Sequence, residues 1–141
     1  MSNTSISRES YNQIIDEMKK IIDTLTSTDK ISIDKLIPLE ILDKTSNSLR
    51  KILYRLQFEL LRAKENKDWK LQDLLHKAIH QCEDTINMVN AHRINSTVGE
   101  DHEQIISNLK QLRVEINTAI QNQQMFNFFI SLAGLVRKFV V

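Results

Sequence analysis

Residues 125–141 read MFNFFISLAGLVRKFVV, and the fold turns on where they go. The stretch holds four of the chain's five phenylalanines and no acid, and twelve of its seventeen residues are apolar. The segments before it read as ordinary amphipathic helices. A stretch this apolar needs a cover: the chain's own core, another chain, or a membrane surface.

Working back from it, apolar residues recur at helical spacing. Ile105, Leu109, Leu112, Ile116, Ala119 and Ile120 mark a fourth helix, with Glu100, Asp101 and Glu103 at its start, where acids suit the dipole. Leu71, Leu74, Leu75, Ala78, Ile79, Cys82, Ile86 and Val89 mark a third, with Gly99 as its expected C-terminal cap. Leu42, Thr45, Leu49, Ile52, Leu53, Leu56, Leu60 and Leu61 mark a second, from about Pro38 to about Lys67. Ser46 and Ser48 are able to cap a fresh helix, so a break at 45–48 stays open. Tyr11, Ile14, Ile15, Met18, Ile21, Ile22 and Leu25 mark the first, with Ser7 as its N-cap. Between the first two, residues 31–37 read as a connector, either extended or a short helix with Asp34 as its cap.

On a wheel of about 100° per residue, the fourth helix's core stripe lies between about −40° and +60°. Continued straight, the tail would put Asn127, Ser131, Gly134, Arg137 and Lys138 over that stripe and its apolar residues opposite. One straight helix cannot bury both faces. Three arrangements remove the conflict. The chain breaks at residues 121–124 (QNQQ) and folds back on its own core, the outer face meets a second subunit or partner, or the tail lies on a membrane.

Composition narrows the class. A chain of 141 residues with 41% hydrophobic and 26% charged residues fits one domain able to bury about two thirds of its unfolded surface. Two glycines and one proline are too few for a turn-rich β protein. Net charge is +1 but comes in blocks. Residues 44–70 carry eight bases and three acids, and residues 71–104 carry two bases and six acids. A single cysteine, Cys82, excludes an intrachain disulfide and points to a reducing, cytoplasmic setting. The first ten residues are polar, without a signal-peptide core, and no stretch reaches the ~18–20 apolar residues of a membrane span.

Few residues suggest chemistry. His76 and His80 share a helical face with Glu83 one turn on, the best metal-ligand candidates, but the wheel turns them away from the third helix's core. A di-iron bundle needs Glu-x-x-His pairs, and the chain has none. Serine-nucleophile and phosphate-loop motifs need more glycine than is present. Arg50, Lys51, Arg55, Arg62 and Lys64 interleave with Tyr54 and Phe58, a basic-aromatic mix also found in nucleic-acid binders. Intervening acids and long helices favour a solvated, ion-paired face instead.

The expected fold is all-α: an up-and-down antiparallel four-helix bundle over residues 1–124, with 125–141 as an added hydrophobic helix. That helix belongs to the same domain or acts as an interaction segment. The expected function is non-catalytic, with homo-oligomer or partner contact through Phe128, Phe129, Leu132, Leu135, Val136 and Phe139. On this reading Phe128→Asp with Leu132→Asp separates the oligomer and leaves the bundle folded. The alternative is a peripheral membrane protein contacting lipid through Phe126, Phe128, Arg137 and Lys138. A metal-binding bundle at His76 and His80 is the third. No cofactor or small-molecule ligand is indicated.

Overall fold

The computed structural model describes residues 5–93, 96–119 and 121–140. Among them the chain is all-helical: α1 Arg8–Thr26, α2 Leu39–Glu65, α3 Trp69–Ala91, α4 His102–Ile116 and α5 Asn122–Phe139. Ile120, assigned above to the fourth helix, lies outside the described residues.

The helix ends follow local chemistry. Ser7 Oγ accepts from the Ser10 amide at 3.2 Å and opens α1. Pro38, which has no amide hydrogen to leave unpaired, precedes α2. α2 runs unbroken through 45–48, because the hydroxyls there bond elsewhere instead of capping a new helix. Thr45 Oγ1 donates back to the Ile41 carbonyl at 2.8 Å, and Ser46 Oγ donates to Asn90 Oδ1 on α3 at 3.3 Å. Lys67 takes a left-handed φ of 55° to reverse the chain, and Asp68 then caps α3 by accepting from the Leu71 amide at 3.1 Å.

One expectation about the connectors is corrected. Gly99 does not cap α3, which ends at Ala91, and no described glycine has a positive φ. Of the two forms expected for residues 31–37 the chain takes the extended one, with Asp34 at φ 69°. The reason is mutual. The two connectors at this end satisfy each other's backbone, with Asp34 N–H donating to Val98 O, Val98 N–H to Lys35 O and Ile37 N–H to Ser96 O, each at 2.9 Å.

Cross-helix contacts give the directions. Along α1 and α2, Ser7 meets Glu59, Glu9 meets Arg55 and Glu17 meets Lys51, so the two are antiparallel. Along α2 and α3, Ser46 meets Asn90, Leu49 meets Cys82 and Ala63 meets Gln72, again antiparallel. Lys110 with Asp29, Arg113 with Asp23 and Ala119 with Tyr11 set α4 antiparallel to α1. Asn122 Oδ1 accepts from the Ile6 amide at one end. At the other, the His102 ring lies 5.5 Å from that of Phe139 and its Nε2 lies 2.9 Å from the Thr28 carbonyl. Since a carbonyl only accepts, Nε2 carries the proton. α5 therefore runs parallel to α1.

α5 packs against α1, α3 and α4, whereas α4 touches α1 and α5 and does not reach α2 or α3. The helix expected as an addition is thus a central wall of the core. The break comes earlier than expected, with α4 ending at Ile116 and a turn at 117–118. Residues 121–124 begin α5 through a reciprocal cap in which the Gln121 amide donates to Gln124 Oε1 at 3.2 Å and the Gln121 side chain accepts in return. Tyr11 OH fixes the turn by donating to the Ala119 carbonyl at 2.9 Å. Breaking the helix there rotates α5 so that Met125, Phe126, Phe129, Leu132, Ala133, Val136 and Phe139 all face inward.

Candidate functional site

With α5 inside, the exposed apolar surface lies elsewhere, and its origin is a reversal of polarity in the second half of α2. Glu59 occupies a core position and is 0% exposed. Its carboxylate accepts from Ser7 N–H at 2.9 Å, Ser7 Oγ at 3.0 Å, Ser10 Oγ at 2.9 Å and Arg62 Nη1 at 2.8 Å. Four donors replace the water that burial removes, and the N-terminus of α1 adds a favourable dipole. A buried carboxylate thus bolts the start of α1 to α2.

The inner positions of this stretch go to Leu56, Glu59 and Ala63, which leaves its large side chains on the far side. Tyr54, Phe58 and Leu61 are 71%, 49% and 62% exposed, and Trp69, across the joint at the start of α3, is 70% exposed. Residues 54, 58 and 61 are spaced i, i+4, i+7 and form one stripe about 10 Å long. Among the described residues, the other large exposed apolar side chains are Ile33, Leu36 and Leu39, on or beside the α1–α2 connector, and Val114 on α4.

The stripe is edged mainly with cations, and exposed Glu65 follows Leu61 one turn further along it. Arg50, Lys64, Lys67 and Lys70 are exposed and have no carboxylate partner among the described residues. On the α1 side, Arg55 reaches Glu9 at 3.5 Å and Lys51 approaches Glu17 at 3.9 Å. A cleft of about 420 Å³ runs alongside, lined by Gln13, Asp16, Glu17, Lys20, Lys51, Tyr54 and Arg55.

The positions singled out from sequence fall as follows. Phe129, Leu132, Val136 and Phe139 are buried in the chain's own core, and Phe128 and Leu135 are partly buried against it. The expectation that these six present a free docking face is corrected, because folding back after α4 gives them α1, α3 and α4 as their cover. The lipid-contact set changes for the same reason. Phe126 is buried and Arg137 Nη1 donates to Thr85 Oγ1 on α3 at 2.9 Å, while Lys138 alone of the set is exposed. No helix among the described residues is long and apolar enough to cross a membrane. His76, His80 and Glu83 are exposed, His80 Nε2 lies 3.3 Å from Asp84, and no group of three metal-ligating side chains occurs among the described residues.

Cys82 is buried and its thiol donates to the Leu49 carbonyl at 3.2 Å. Burial, with a smaller contribution from Glu83, pushes its pKa up to about 12, so the thiolate that nucleophilic chemistry needs is not formed near neutral pH. Tyr11 is also raised, by burial, with Arg8 opposing.

The sequence pattern singles out Tyr54 and Phe58 but places Leu61 on the core stripe, and it gives no sign of Trp69. The signal that would have found them is Glu59, an acid one turn after Leu56 on an apolar stripe. Comparison of the chain with protein-family models finds no match, and comparison with curated proteins and with solved structures finds no significant similarity.

Proposed function

We propose that this protein is a non-catalytic interaction module, a helical bundle in which α5, parallel to α1 and α3, takes the fourth place around the core and α4, antiparallel to α1, buttresses α1 and α5. Its contact surface is the outer face of α2 continued onto the start of α3. The observation that carries this reading is the exposed row Tyr54, Phe58 and Leu61, with exposed Trp69 across the joint, on a chain whose other aromatic residues are buried or, as for Tyr11 and Phe128, partly buried. Burying one such side chain contributes about 1.5–3 kcal/mol, so a contact covering the row outweighs the cost of ordering it. Partner contact, first assigned to α5, thereby moves to α2. A reducing cytoplasmic setting suits the unpaired Cys82.

A photo-activatable residue placed at Phe58, with a second at exposed Gln104 on α4 as control, tests the surface in the source cells. Discrete protein adducts at position 58 and not at 104 are expected. Equal labelling at both, or none at 58, refutes the reading.

A further inference from the structure

Resting on that reading, we infer that the α2 face receives an acidic amphipathic helix from another protein. The face offers a convex row at Tyr54, Phe58 and Leu61, matching the anchor spacing by which one helix packs on another. Its rim is mainly cationic, with exposed Glu65 the acid at its far end, and Arg50, Lys64, Lys67 and Lys70 have no carboxylate partner within the described chain. A docking helix with Asp or Glu beside its apolar stripe supplies those carboxylates. The rim then sets orientation and association rate while the apolar row holds the complex.

Charge and width decide between occupants. A second copy docked face to face would set one cationic rim against another, and like charges brought together oppose the contact. A nucleic acid would need a broader basic field. Here the basic strip is flanked by exposed acids on both sides, Glu9 and Asp16 on α1 and Asp73, Glu83 and Asp84 on α3. The strip is about one helix wide, roughly 10–12 Å with side chains, half the breadth of a duplex. From Arg50 to Lys64 it is about 21 Å long, room for an occupant of about fourteen residues.

The test selects a displayed library of helices of about sixteen residues on the immobilised full-length chain, with leucine at i, i+4 and i+7 and all flanking positions randomised. Enrichment of Asp and Glu in the flanks is expected. Selected peptides should shift the emission of Trp69, the single tryptophan. They should bind about tenfold more weakly to Leu61→Glu and Phe58→Glu, whose folding is verified by circular dichroism. Affinity should fall as salt rises from about 50 to about 500 mM.

Neutral or basic winners, winners indifferent to Leu61→Glu, or no winners at all overturn the acidic-helix assignment. So do a dimer in sedimentation that Leu61→Glu dissociates, and a short DNA duplex that displaces the peptides. Crosslinking at position 58 separates the failures. Adducts there alongside a failed selection leave the interaction surface standing with a different occupant, whereas no adducts remove the surface itself.

Discussion

α2 and α5 are the two places where this chain concentrates aromatic residues, and they treat them oppositely. α5 carries Phe126, Phe129 and Phe139 into the core, with its polar residues Asn127, Ser131 and Lys138 outside. α2 turns a carboxylate inward at Glu59 and holds Tyr54 and Phe58 in solvent. The same residue types therefore stabilise the fold in one helix and burden its solubility in the other. Apolar content does not mark a binding surface. What marks one is apolar content that the chain's own packing leaves uncovered.

The contrast is sharpest in substitution. Phe126→Ala removes a fully buried ring and should cost about 3–5 kcal/mol in denaturant unfolding. Leu132→Asp, which places a charge in the core, should leave no folded protein by circular dichroism. A folded, monomeric Leu132→Asp variant would return α5 to the surface and break the comparison.

Glu59→Gln keeps the shape but removes the charge from a site with four donors, and should cost about 2 kcal/mol. The loss should centre on the first turn of α1, seen as faster amide exchange around Ser10. Unchanged protection there would mean that the buried carboxylate is not what holds α1 to α2.

Cys82 gives a pH test of how dry the α2–α3 seam is. Its ordinary pKa is 9.0, and the folded value is about 12. Below pH 9 the thiol is protonated folded and unfolded, so its burial has no pH-dependent effect. Above pH 9 the unfolded chain releases this proton first, and stability falls by about 1.4 kcal/mol per pH unit until the folded thiol ionises. Cys82→Ala should lack that component, so the two stability curves converge from pH 9 to pH 11. Tyr11, also raised, is present in both chains and cancels. Parallel curves would mean a thiol open to water.

The smallest effects belong to the outer face. Phe58→Ala and Leu61→Ala should change stability by only about 0.5 kcal/mol. A cost near that of Phe126→Ala would show the stripe covered within the chain.

Much of the helical pattern was legible in order and spacing. Ser7, Pro38 and the apolar periods of α1, α3 and α4 are local signals, and helix formation reads local signals well. Gly99 misled because its segment is held by backbone bonds to residues 34–37, far away in sequence. Leu61 misled because it is spaced well enough to join the stripe, and only the proximity of Ser7 and Ser10 makes a buried Glu59 affordable.

The sequence by itself determined an all-α chain without disulfides, and it exposed a conflict: a straight continuation of the fourth helix buries the wrong face of residues 125–141. It did not choose among the remedies, because a helical wheel records which residues share a face and not which face finds a neighbour. Tertiary structure made the choice. The reversal after α4 returns α5 between α3 and α4 and gives its phenylalanines a cover, and the bond network at Glu59 turns Phe58 and Leu61 outward. Both outcomes rest on contacts between residues 49 to 116 positions apart, and no local pattern encodes those.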